Sequence, residues 1–215
     1  YLDALLPRHP LARGLVTRPQ ALAWTVAWLV VAMAGAWILR PLCLLLLLAG
    51  CLVEVAYCRL CCVTPLRAAL SGVVKTLGPV AAVVAVDPRP AALPLATLFL
   101  WVFLVEIGGQ NIPSDWADIE EDRRLGAATI PARLGERAAT GLALASLAAA
   151  LLVHLGLVAQ LCRSRCLPFA AASLTAGTLL LLAPAVRLLL ARDRPAVFRL
   201  FNRASAYPAA LLGLM

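Results

Sequence analysis

Six of the chain's eleven acidic residues crowd into one stretch and the residue after it: GGQNIPSDWADIEEDRRLGAATIPARLG, Gly108 to Gly135. They are Asp115, Asp118, Glu120, Glu121, Asp122 and Glu136. Proline is tolerated in the first turn of a helix, so a short helix is predicted within 113–124, with Asn111 at its entrance. At about 100° per residue, Asn111, Asp115, Asp118 and Asp122 fall within about 60° on one face. Glu120 points to the opposite side, and Arg123 and Arg124 leave the stripe. A file of carboxylates repels itself unless a cation offsets it. Oxygen ligands on one face suit Mg²⁺. The competing reading is a solvated acidic helix start favoured by the helix dipole.

Further charges interrupt apolar runs, where they are costly and hence candidates for function. Glu54 and Tyr57 lie near the end of one run, and Lys75 lies within the next. Lys75 is placed to reach a phosphate or to pair with Glu54. His154 reads as a packed residue rather than a ligand. The seven cysteines include Cys58-x-x-Cys61, but no second pair has metal-site spacing.

Most of the chain that must position these groups is apolar: 63% hydrophobic, 14% charged, with a mean hydropathy of +0.91. This is the composition of a polytopic membrane protein. The formal net charge of +8 is read as arginine-rich loops rather than a nucleic-acid surface, since no such motif accompanies it. Membrane-spanning helices are expected at about 21–39, 42–59, 66–86, 91–107, 138–159 and 167–190. Residues 108–137 and the basic 191–204 read as loops, and 205–215 as the start of a last span. The chain opens on Tyr1 rather than Met, and this last segment is too short to cross a bilayer, so the sequence reads as a fragment. Residues 1–215 form a single transmembrane domain, an all-α helix bundle, because backbone in lipid must satisfy itself.

Alternating the spans puts 1–20, 59–67, 108–137 and 191–204 on one side, with most of the arginines. The positive-inside rule makes that side cytoplasmic. Carboxylates for a metal and cations for an anion then share one face, which suggests a phosphorylated substrate.

The pattern Asn111-x-x-x-Asp115-x-x-Asp118-x-x-x-Asp122-Arg123, followed by Gly126, Thr129 and Arg133-Leu134-Gly135, resembles the second acidic motif of the UbiA superfamily of intramembrane prenyltransferases. Tyr1-Leu-Asp3 looks like the tail of that family's first motif, four spans earlier. Of its Tyr-x-x-x-Lys feature only Tyr57 is present, with Cys61 at the lysine position, so Lys75 or Arg59 is left to take that role. The resemblance covers essentially the whole chain. It implies a bundle of nine helices around a central cavity, of which about seven are represented here. It also implies transfer of a prenyl group from an isoprenyl diphosphate to an acceptor, usually aromatic. Mg²⁺ would be held by Asp3, Asn111, Asp115, Asp118 and Asp122. Lys75, Arg59, Tyr57, Glu54, Arg123 and Asn111 would contact substrate, and Lys75, Asp115, Asp118 and Asp122 would carry the chemistry.

The residue chemistry agrees. Diphosphate leaves only once its charge is neutralised, and an allylic cation needs a dry apolar pocket. Glu54 is the candidate base for the acceptor. The acceptor class stays open among aromatic acids, tetrapyrroles, sugar phosphates and glycerol phosphate. The alternative functions are a transporter whose acidic loop binds a cation, or a membrane scaffold.

Overall fold

The computed structural model describes residues 10–11, 13–60, 62–161 and 166–214, and every regular element among them is helical. In chain order these are α1 (Arg18–Leu39), α2 (Pro41–Leu60), α3 (Arg67–Val86), α4 (Ala92–Ala117), α5 (Ile119–Leu125), α6 (Ile130–Leu134), α7 (Glu136–Leu161), α8 (Leu167–Ala191) and α9 (Arg194–Gly213). Among the described residues, α1, α2, α3, α4, α7 and α8 are long and apolar enough to cross a membrane. The protein is an integral, multi-pass helical bundle. Large apolar side chains such as Leu100, Leu152 and Leu179 stay on the outer surface of their spans. Lipid, unlike water, sets no penalty on that exposure.

The backbone divides into two compact units, Tyr1–Leu48 and Ala49–Met215, with the boundary inside α2. In the first unit α1 is started by a reciprocal cap: Thr17 Oγ1 accepts from the Gln20 amide, and the Thr17 amide donates to Gln20 Oε1 at 2.9 Å. The indoles of Trp24 and Trp28, one turn apart, stack at 6.1 Å.

In the second unit α4 packs on α3 and α7, while α9 packs on α8 and the end of α4. One core cluster joins α4, α7, α8 and α9 through Val105, Trp116, Leu147, Leu181, Leu200 and Tyr207. A second joins α3, α4, α6 and α7 through Ala68, Ile107, Ile112, Ile130 and Ala143. His154 is buried with its ring 4.8 Å from that of Trp101, a packed residue as expected.

Three expected boundaries are corrected. First, α4 does not end at 107. It runs on to Ala117 through a widened π-helical turn, Glu106–Asn111, so residues 108–117 are helix rather than loop. The Ile112 amide reaches back five residues to the Ile107 carbonyl. Pro113 follows the turn, and Pro184 likewise follows the widened turn Thr178–Leu182 in α8. A proline ring presses on the carbonyl four residues back, and a widened turn there relieves the contact. Second, the helix expected within 113–124 is broken at Asp118, whose φ −103° and ψ 12° separate α4 from α5. Third, the basic segment 194–204 is not a loop but the first half of α9. Asp193 caps it by accepting from the Ala196 amide at 2.8 Å. Val197, Leu200, Ala204, Tyr207 and Leu211 are buried at spacings of three and four, which leaves Arg194, Arg199 and Arg203 off that face.

Candidate functional site

The widened turn of α4 packs closely against two neighbouring helices. A Cβ on Gly108 would lie 2.7 Å from the Ala143 carbonyl oxygen of α7, and one on Gly109 would lie 2.7 Å from Ala204 Cβ of α9. The two glycines therefore let the α7 backbone and the Ala204 methyl group of α9 approach the turn closely. Polar bonds fix it further. Ser146 Oγ of α7 donates to the Leu104 carbonyl at 2.8 Å, and Gln110 Nε2 donates to Ser205 Oγ of α9 at 2.9 Å.

On its remaining side the turn faces α3. Arg67, Ser71 and Lys75 stand four residues apart, so they stack along one face of α3. Lys75 Nζ donates to Asn111 Oδ1 at 3.0 Å and pairs with Glu106 Oε2 at 3.1 Å. Residues five apart on an α-helix lie about 140° from each other. The widened turn brings Glu106 and Asn111 round to a common side, so one ammonium reaches both. Ser71 Oγ also donates to Asn111 Oδ1, at 3.3 Å, and Asn111 Nδ2 donates to the Ala68 carbonyl at 3.1 Å. Asn111 is buried, and both ends of its amide bond to α3.

One turn along, Arg67 bridges two residues that the sequence leaves unconnected. Its Nη2 reaches Asp115 Oδ1 at 3.3 Å, its Nη1 donates to Tyr57 Oη at 3.2 Å, and its guanidinium carbon lies 5.3 Å from the centre of the Tyr57 ring. These side chains surround a polar cavity of about 240 Å³, lined by Tyr57, Arg67, Ser71, Lys75, Asn111 and Asp115, with Ala68, Gln110, Ser114 and Phe201 completing it.

Of the acidic residues only Asp115 lines this cavity. Asp115, Asp118, Glu121 and Asp122 are half-buried, whereas Glu120, Arg123 and Arg124 are exposed. Asp115 lies within electrostatic reach of Arg67, Asp122, Asp118 and Lys75. Burial pushes the Asp122 carboxyl above its ordinary value. Asp118 and Glu121 add to the push, while a hydrogen bond from Thr129 and the charge of Arg67 oppose it. Thr129 also caps α6, accepting from the Ala132 amide, and Gly126 closes α5 in the left-handed conformation. The sequence Gly126 to Thr129 thus folds the chain back so that Thr129 meets Asp122.

Among the described residues no three His, Cys, Asp or Glu side chains converge on one metal-sized point. The donor set nonetheless fits Mg²⁺ bound with a phosphate. Mg²⁺ takes hard oxygen ligands, keeps several waters, and is commonly held by one or two carboxylates plus substrate phosphates rather than by a protein cage.

Several site residues fall elsewhere than expected. The partner of Lys75 is Glu106, not Glu54. Glu54 and Arg59 are exposed and do not line the cavity, nor does Arg123. Tyr57 accepts from Arg67, and of the two candidates for the role of the missing lysine, Lys75 lines the cavity and Arg59 does not. Asp3, like Cys61, lies outside the described residues. Arg67 went unremarked as a site residue in the sequence, though its spacing of two turns from Lys75 was legible there.

Comparison with known proteins bears on what such a site belongs to. The sequence profile of the UbiA prenyltransferase family matches residues 2–206. No protein of curated function matches the chain. The apo structure of a UbiA homolog from Aeropyrum pernix K1 superimposes with a TM-score of 0.75 at 24% identity, covering 99% of this chain and 79% of that one. A digeranylgeranylglyceryl phosphate synthase structure gives a TM-score of 0.69 at 16% identity, covering 99% of this chain and 76% of that one. These likenesses establish a shared fold. With the profile spanning nearly the whole sequence, the chain belongs to the UbiA prenyltransferase family.

Proposed function

We propose that the protein transfers a prenyl group from an isoprenyl diphosphate to a small, aromatic acceptor within the bilayer, using Mg²⁺, as in the biosynthesis of quinones or related lipids. The observation that carries this reading is the placing of two cations, Arg67 and Lys75, in one polar cavity with Asp115, next to Asp118 and Asp122. An isoprenyl diphosphate needs this combination, a bed of cations for its oxygens beside carboxylates for a metal.

In this mechanism Lys75 binds a diphosphate oxygen from α3, with Asn111 and Glu106 fixing its direction. Arg67, Ser71, Ser114 and Tyr57 offer further donors around the cavity. Asp115, Asp118 and Asp122 would hold Mg²⁺, which supplies charge neutralisation as the bond to the prenyl carbon breaks. The reading includes Asp3 as a ligand and puts the site on the cytoplasmic side of the cell membrane. Apolar walls of the spans exclude water from the allylic cation. The Arg67–Asp115 and Lys75–Glu106 pairs leave the cavity close to charge balance before substrate enters, so an incoming anion meets cations already aimed.

The test is mass spectrometry of membranes that contain the protein, incubated with Mg²⁺, labelled isoprenyl diphosphates and a panel of aromatic, sugar-phosphate and glycerol-phosphate acceptors. A prenylated product that disappears with EDTA is expected. If none of the acceptors is prenylated while the membranes accumulate a divalent cation, the transporter reading replaces this one.

A further inference from the structure

We infer that Arg67 is a counterion switch that makes metal binding conditional on the diphosphate. Its guanidinium neutralises Asp115, and it releases Asp115 to Mg²⁺ only when a phosphate draws it away. The inference rests on the function proposed above and assigns Arg67 a positioning role in it.

Three observations support the switch. The hold on Asp115 is a single contact of 3.3 Å, longer than the 2.7–2.9 Å of a strong charge-assisted bond and not the two-pronged contact that guanidinium and carboxylate favour. The guanidinium also has a donor to spare, since its Nε is buried and bonds to nothing among the described residues. Finally, Arg67 is the first residue of α3, and the positive end of a helix dipole disfavours a cation there. Arg67 is thus held loosely, incompletely bonded, and in a field that opposes its charge. Its other anchor, Tyr57 Oη at 3.2 Å, keeps it at the cavity while it exchanges partners.

The consequence follows from linkage. A metal and Arg67 compete for Asp115, so metal alone binds weakly. A phosphate competes with Asp115 for Arg67, so it relieves that competition. The two ligands then reinforce each other, and each must strengthen the other by the same factor, typically 5–150-fold for coupled sites. The device keeps Asp115 paired until a diphosphate arrives to be ionised.

The experiment uses the whole protein in detergent or nanodiscs, with Mn²⁺ as a magnetic resonance probe for Mg²⁺. Arg67→Met is expected to bind Mn²⁺ alone about tenfold more tightly than the native protein, and inorganic pyrophosphate in EDTA about tenfold more weakly. A second measurement needs no variant. Methyl phosphate, corrected against a protein-free control for its own metal binding, should tighten Mn²⁺ binding more in the native protein than in Arg67→Met, where only the direct phosphate–metal contact remains. Equal or weaker Mn²⁺ binding by Arg67→Met, or equal tightening by methyl phosphate in the two proteins, overturns the switch and leaves the function standing. A native protein that binds neither Mn²⁺ nor pyrophosphate overturns both.

Discussion

Gly108→Ala is the sharpest probe of the turn that orients the cavity. The added methyl carbon would lie 2.7 Å from the Ala143 carbonyl oxygen, 2.8 Å from Leu147 Cγ and 3.1 Å from Ser146 Cβ. The first of these is backbone, so it cannot swing aside as a side-chain tip can. Forcing a methyl into a packed site costs about 1–3 kcal/mol. Alanine also removes glycine's helix penalty, a gain of about 1 kcal/mol, which blurs the sign for one variant taken alone. Gly141→Ala resolves this. Gly141 lies in α7, and a Cβ there meets nothing within 4 Å. The propensity gain is common to both, so their difference isolates the overpacking, about 1–3 kcal/mol. For a protein of this size that corresponds to about 2–12 °C in Tm. Gly141→Ala should melt above the native protein, and Gly108→Ala should melt below Gly141→Ala by that margin, both followed by thermal unfolding in detergent. Gly108→Ala should also raise the KM for the diphosphate, because pushing α4 off α7 moves Glu106 and Asn111 relative to Lys75. Equal melting temperatures for the two variants would refute the close approach of α4 and α7.

Further predictions concern the charged groups. Asp118→Asn and Asp122→Asn should each lower prenyl transfer by about 10²-fold or more, the scale of one preorganised electrostatic contact, while the exposed Glu120→Gln keeps most of the activity; equal losses at all three would count against a sided arrangement. Lys75→Met should destabilise by about 1 kcal/mol through the unpaired Glu106, a modest figure because the Lys75 side chain is 44% exposed. Lys75→Met/Glu106→Gln should recover that stability without recovering diphosphate affinity, and recovery of both would show that Lys75 serves only the ion pair. Burial raises the Asp122 carboxyl, so its contribution to stability in EDTA is fully present below the ordinary carboxylate range and is lost as pH rises through its raised value. Asp122→Asn should therefore flatten the decline of Tm across that window, and an unchanged slope would contradict the burial argument.

What the sequence determined by itself is the membrane architecture and the list of chemical groups. Unbroken apolar runs leave a helix as the only spanning structure, and α3, α7 and α8 begin and end within about two residues of where those runs do. Helical spacing puts Glu120 opposite Asp115, and Glu120 is exposed while Asp115 is half-buried, but Glu121, off the stripe, is half-buried too, so spacing alone does not sort the acidic residues. Tertiary structure decided the pairings. A period of 3.6 carries Glu106 and Asn111 to different sides, and only the widened turn gives Lys75 both of them. Pro113 favours a widened turn locally, but the packing of α7 and α9 against Gly108 and Gly109 is specified by no local pattern. Arg67 finds Asp115 across 48 residues of chain because α3 docks on α4 in one register, and docking is set by the shapes of two helix faces rather than by the spacing within either.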